Sequence, residues 1–247
     1  SGRGWRRLLG LALAGSFPKM AASSPASSPA SLPAAVIFLH GSGDAGTGLK
    51  RYIEAISDLL EELEFRDVQT FWPNSRMKPY TLAGGIMMPI WYDRSGLPPS
   101  APEKTESVER SVEGLMQLVE EVQAAGVPPN RIVIGGFSMG GGIALQLALR
   151  HPHAVAGAFV LSSFMCDDAA IYDRMQAPEL SKVPILMMHG EADRFIRPTW
   201  ARGTYERLQS LGAAVDFISV PNLQHEMNRQ EIQLLRDWLF KLLELQQ

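Results

Sequence analysis

The chain of 247 residues holds one cysteine, Cys166, so no disulfide can form within it. It also has no Asn-x-Ser/Thr glycosylation acceptor; Asn74-Ser75-Arg76 misses by one place. Both absences lean toward a reducing compartment and a cytoplasmic location. No apolar run reaches the roughly 18 residues that a membrane-spanning helix needs. Neither sign of charge dominates: 23 Lys and Arg stand against 26 Asp and Glu, for a net charge of -3. Without a basic stripe, nucleic acid is excluded as a partner. Internal repeats are missing too, which excludes solenoids and propellers.

Acid is absent from the first part of the chain. Residues 1–33 carry Arg3, Arg6, Arg7 and Lys19, and the first acidic residue is Asp44. An apolar stretch, Leu8 to Ala14, follows the arginines, and a Ser/Pro/Ala segment runs from Met20 to Pro33. That composition cannot build a packed core, so 1–33 is expected to be a disordered or targeting segment. Three readings stay open. Met20 begins the protein, with translated upstream sequence before it; residues 1–19 belong to an organelle transit peptide; or they form a short secretory signal. In each, the fold starts near Pro33 and occupies 34–247.

From Ala35 the pattern alternates. Short apolar runs at 35–39, 68–72, 131–137, 155–163, 184–190 and 215–220 predict strands. Helical spacing predicts helices over 49–64, 105–126, 139–150, 198–211 and 228–245. Asn228 followed by Glu231 resembles a capping box at the start of the last one. Strands that read as unbroken apolar runs between helices predict an α/β fold: one domain, a mostly parallel central sheet, helices on both faces and no large cap domain. Residues 73–104 break the rhythm. They are rich in Met, Trp and Tyr, so they are expected to form an ordered loop over a binding site.

Glycine is concentrated at one place, Gly135-Gly136-Phe137-Ser138-Met139-Gly140-Gly141-Gly142, between a predicted strand and a predicted helix. Gly136 to Gly140 matches G-x-S-x-G in the strand–turn–helix context that gives the motif meaning. Turning so sharply strains the serine's backbone and brings its neighbours close, so they must lack bulk. Ser138 is then presented above the sheet edge as a nucleophile. A serine hydroxyl needs a base, and the base an orienting acid. His225 lies after the last predicted strand and before the last helix, where the base belongs. Asp193 lies in the loop after the strand ending at His189; Glu191 is its rival there. His189 reads as structural. The loop Leu39-His40-Gly41-Ser42-Gly43-Asp44 is small enough for its backbone to approach a ligand. The N–H groups of Ser42 and Met139 are the candidate oxyanion donors.

FLHGSGD (38–44), GGFSMGG (135–141), HGEAD (189–193), the histidine loop before the last helix and Pro89-Ile90-Trp91-Tyr92-Asp93 together resemble the acyl-protein thioesterase/lysophospholipase family of α/β-hydrolases. The likeness covers about 34–245, and Ser42 and Met139 resemble its lysophospholipase-like branch. It implies Ser138 as nucleophile, Asp193 as acid, His225 as base, and Ser42 and Met139 as backbone donors. It implies a hydrolase for S-acylated proteins, carboxyl esters or lysophospholipids that uses neither metal nor cofactor. Ser42 and Met139 depart from the thioesterases proper on the acyl side, so a short-chain carboxylesterase is the alternative.

Met87, Trp91, Phe164 and Met165 are the candidate substrate-binding residues. Expected partners are an acylated protein or a small acyl ester, with transient contact to a membrane surface; the oligomeric state is open. Two other classes are weaker. A binding-only protein of this fold usually lacks a triad member, and this chain has all three candidates. A peptidase would need a cap or acids for a substrate amine, and neither is present.

Overall fold

A computed structural model describes residues 33–175 and 182–245. The N-terminal expectation for 1–33 therefore falls outside the described residues, apart from Pro33. In chain order the main elements are β1 (Ala34–Leu39), α1 (Gly46–Ile56), α2 (Leu59–Phe65), β2 (Val68–Phe71), β3 (Met77–Tyr80), β4 (Ile86–Pro89), α3 (Thr105–Ala124), β5 (Ile132–Phe137), α4 (Met139–Arg150), β6 (Gly157–Leu161), α5 (Ile171–Arg174), β7 (Ile185–Gly190), α6 (Pro198–Ser210), β8 (Val215–Val220) and α7 (Arg229–Leu242). Among the described residues, no helix is long and apolar enough to cross a membrane.

Six strands form one sheet in the order β2-β1-β5-β6-β7-β8, and every pairing is parallel. Parallel strands need crossovers, which place helices on both faces. Side chains alternate along β1 accordingly. Ala35, Ile37 and Leu39 pack with α3 and α4, whereas Ala34, Val36 and Phe38 pack with α1, α2 and α7. Both sets are buried, which is why the strand reads as a continuous apolar run. On the central strands, Ile185 and Met187 of β7 join α4, α5 and α6 in a third cluster. Each fully buried Ile, Leu or Phe side chain contributes roughly 1.5–3 kcal/mol. The parallel arrangement also sends the carboxyl ends of all six strands to one edge, where ligands of such sheets bind.

Two expectations change. The helix predicted over 49–64 is two helices, because Ser57 adopts an extended conformation and its hydroxyl donates to the Ile53 carbonyl. Leu49, Ile53, Ile56, Leu60 and Leu63 keep helical spacing across the break, so periodicity alone conceals it. Residues 73–104 contain a hairpin: β3 and β4 pair antiparallel, Met77 opposite Pro89 and Tyr80 opposite Ile86. Gly84 (φ 68°) and Gly85 (φ 84°) supply the left-handed turn between them.

The start of α7 forms half of the anticipated capping box. Asn228 Oδ1 accepts from the Glu231 N–H at 2.8 Å. The Glu231 carboxyl does not answer: the residue is fully buried, and neither oxygen has a partner among the described residues. Burial alone pushes this acid up to about 8 from 4.5. The folded state therefore holds a proton that the unfolded chain releases between about pH 4.5 and 8. Stability is full below pH 4.5 and declines as pH rises through 8. At about 1.4 kcal/mol per pH unit, the loss amounts to a few kcal/mol. Glu231→Gln should melt like the parent at pH 5 and several degrees higher at pH 8.5, by thermal melts across that range.

Candidate active site

The loops after β1, β5, β7 and β8 carry Ser42, Ser138, Asp193 and His225, and the shared strand polarity brings them to the same sheet edge. Ser138 has φ 52° and ψ -123°, a conformation that costs on the order of 1–3 kcal/mol for a residue with a Cβ. Neighbouring geometry enforces it. A methyl at Gly136 would lie 2.2 Å from the Leu39 carbonyl oxygen, and one at Gly140 would lie 2.1 Å from it. The glycines thus make room for the end of β1 as well as for each other. A methyl at Gly135 would enter the Phe159 ring, at 2.3 Å.

Ser138 Oγ is 3.1 Å from His225 Nε2, and His225 Nδ1 is 2.7 Å from Asp193 Oδ2. A carboxylate accepts only, so Nδ1 carries the proton and Nε2 presents its lone pair to the serine hydroxyl. Asp193 Oδ1 accepts from the N–H groups of Phe195 (2.9 Å) and Ile196 (2.8 Å). The Asp193 side chain is fully buried, so these bonds and His225 replace the water it has lost. Phe137 and Phe195 flank the imidazole, with ring centroids 4.9 and 5.0 Å away.

His189 sits behind the acid. Its Nε2–H donates to the Ile196 carbonyl at 2.9 Å and lies 3.5 Å from Asp193 Oδ2. Desolvation lowers its pKa, so this histidine is neutral and closes the 189–196 loop. Glu191, the rival acid, is exposed, and its N–H donates to the Val220 carbonyl.

The 40–44 loop lies against the nucleophile: a methyl at Gly41 would contact Ser138 Cβ at 3.4 Å. His40 Nε2 accepts from the Ser75 N–H at 3.0 Å, which leaves the proton on Nδ1, bonded to the Gly41 carbonyl at 2.7 Å. The His40 carbonyl takes the Trp91 indole N–H at 2.8 Å, and the Gly43 N–H reaches the Pro89 carbonyl at 2.9 Å. The hairpin and the segment behind it therefore brace this loop. Among the described residues, neither the Ser42 nor the Met139 N–H finds an acceptor. Met139 opens α4, where no carbonyl precedes it in helical register.

A cavity of about 200 Å³ adjoins Ser138, and Ser42 and Met139 line it. Of the four residues expected to bind substrate, Phe164 is in its wall, and Met87, Trp91 and Met165 are not. Trp91 is buried because its indole N–H is used on His40, Met165 packs in the core beneath α6, and Met87 is exposed on the hairpin. The wall instead uses Tyr80, Leu82, Met88, Leu97, Phe195 and Ile196, together with Ser162, Ser163 and Arg94. Phe195 and Ile196 stand two and three places after the candidate acid, a cue present in the sequence. Arg94 follows Trp91-Tyr92-Asp93, and nothing in its spacing marks it.

The sequence profile of the phospholipase/carboxylesterase family matches residues 23–243. The chain belongs to that family. It is 36% identical over 205 residues to lysophospholipase-like protein 1 of Mus musculus, covering 83% of this chain and 85% of that one. It is 31% identical over 214 residues to acyl-protein thioesterase 1 homolog 1 of Dictyostelium discoideum, covering 84% and 90%. The crystal structure of Zea mays acyl-protein thioesterase 2 superposes with TM-score 0.74 at 26% identity, over 88% of this chain and 97% of the other. The fold is that of the α/β-hydrolases, and the chain is an ester or thioester hydrolase.

Proposed function

We propose that this enzyme cleaves acyl esters and thioesters through an acyl-serine intermediate. The observation that carries the reading is the continuous relay from Ser138 through His225 to Asp193, at 3.1 and 2.7 Å. His225 takes the proton of Ser138 as the hydroxyl attacks the acyl carbonyl. Asp193 holds the ring and stabilises its charged form. The N–H groups of Met139 and Ser42 hold the oxyanion. The departing alcohol or thiol takes the proton from His225, and water then releases the acid. Ser42 belongs to a loop fixed by five hydrogen bonds to the hairpin region and within itself, which supports a preorganised donor.

The cavity favours the short-chain reading. At about 200 Å³ it lies below the roughly 300–1,000 Å³ of sites that enclose larger ligands. Hydrolysis of an acyl thioester series, from acetyl to palmitoyl, should therefore peak at short chains, with fluorophosphonate labelling of Ser138 as a control. Rates that climb to palmitoyl would replace this reading with long-chain depalmitoylation. Met77, Ile86 and Met87 are exposed on the hairpin beside the site, which supports transient contact with a lipid surface. We assign the hydrolase domain to residues 34–247, with 1–33 outside it, and a cytoplasmic location.

A further inference from the structure

Arg94 is the unexplained charge of the site. It lines the cavity next to Ser138, is 7% exposed, and has no carboxylate paired with it among the described residues. Its guanidinium lies over the Phe164 ring at 4.5 Å and the Tyr92 ring at 5.0 Å, and one Nη donates to the Tyr92 hydroxyl at 2.5 Å. The other Nη has no partner among the described residues. The groups that act on it electrostatically are Tyr92, Tyr80 and Cys166. Burial raises all three, so they are neutral at physiological pH. Nearby carboxylates are committed elsewhere. Asp93 accepts from Thr81, and Glu103 from Gln146 and the Ala170 N–H.

A buried cation without a counter-ion is costly, and an apolar side chain of the same length would fill this space without that cost. Rings and a phenol offset part of it but supply no negative charge. A second polar atom on the same wall is also unused: Ser162 is fully buried, and its hydroxyl has no partner among the described residues. We infer that the cavity is built for a substrate bearing an anionic group, a carboxylate or phosphate, whose charge Arg94 balances. This deepens the reading of the enzyme as an ester and thioester hydrolase, and rests on it.

The anion has two possible sources, the far end of the acyl chain or the leaving group. Two matched pairs separate them: p-nitrophenyl hexanoate against mono-p-nitrophenyl adipate, and hexanoylglycerol against its phosphate monoester. A charge-assisted contact predicts a kcat/KM about 10–100-fold higher for the anionic member of one pair. The adipate pair points to the acyl end, the phosphate pair to the leaving group. Arg94→Met should erase the preference, read as the ratio of kcat/KM within each pair, so that a loss of activity shared by both members does not count, and thermal melts check that the variant is folded. Arg94→Lys, which restores the charge, should recover part of the preference. Parity or a neutral preference in both pairs with wild-type enzyme overturns the inference without any variant. So does a preference that survives in Arg94→Met. Loss of Ser138 labelling in the wild type would instead count against the hydrolase reading itself.

Discussion

Ser138→Ala is expected to lower ester turnover by about 10⁵–10⁶-fold with little change in melting temperature. The chemical reason is that no other hydroxyl replaces Oγ 3.1 Å from His225 Nε2. The fold should persist, because alanine accepts the same strained backbone as serine, and the Ser138 N–H bond to the Leu161 carbonyl at 2.8 Å does not involve the side chain. His225 keeps its bond to Asp193 and loses only the outer partner. Oxyanion donors and substrate binding remain, so a residual rate above the uncatalysed one is expected. The check is kcat on a short acyl ester, with thermal melts and fluorophosphonate labelling run alongside. A variant retaining more than about 1% of activity would mean that another residue attacks the carbonyl.

Most of the fold was legible because the sheet is parallel and buried. The strand at 215–220 and the helix at 139–150 coincide with β8 and α4, and the others shift at their ends by a few residues. What periodicity hid was local. Ser57 interrupts a helical stripe whose spacing continues through it. The hairpin strands have four residues each and contain Pro79 and Pro89, too short and too interrupted to show alternation. Gly84-Gly85 was the usable cue, as a turn between two such runs.

The candidate triad was readable for a different reason. Chain order and steric demand confine each member to one loop, and those loops meet at the sheet edge. The cavity wall obeys no such rule. It is assembled from side chains of five separate segments, and whether Trp91 faces the substrate or the core depends on a single indole N–H that finds the His40 carbonyl. Arg94 escapes notice in the same way: an arginine in a loop reads as a solvated charge until burial removes the solvent.

The second large effect concerns Asp193. In Asp193→Asn the amide oxygen must take the Oδ1 position, because two N–H groups, from Phe195 and Ile196, point there. The NH₂ then replaces Oδ2 and faces His225 Nδ1. A donor in that position forces the imidazole proton to Nε2, so the nitrogen beside Ser138 can no longer accept the hydroxyl proton. A loss of about 10⁴-fold in kcat follows, with KM nearly unchanged. The amide also meets His189 Nε2–H, which lies 3.5 Å from Oδ2, donor against donor, so a modest drop in melting temperature accompanies it. Asp193→Ala separates the two roles. It leaves the Phe195 and Ile196 N–H groups without their acceptor, at about 1–3 kcal/mol each, and so should lose far more stability than the amide. Glu191→Gln, on the exposed side of the same loop, should match wild type in both rate and melting temperature. Should Asp193→Asn retain activity within about ten-fold of wild type, the acid that orients His225 is not Asp193, and the Glu191 variant becomes the decisive one.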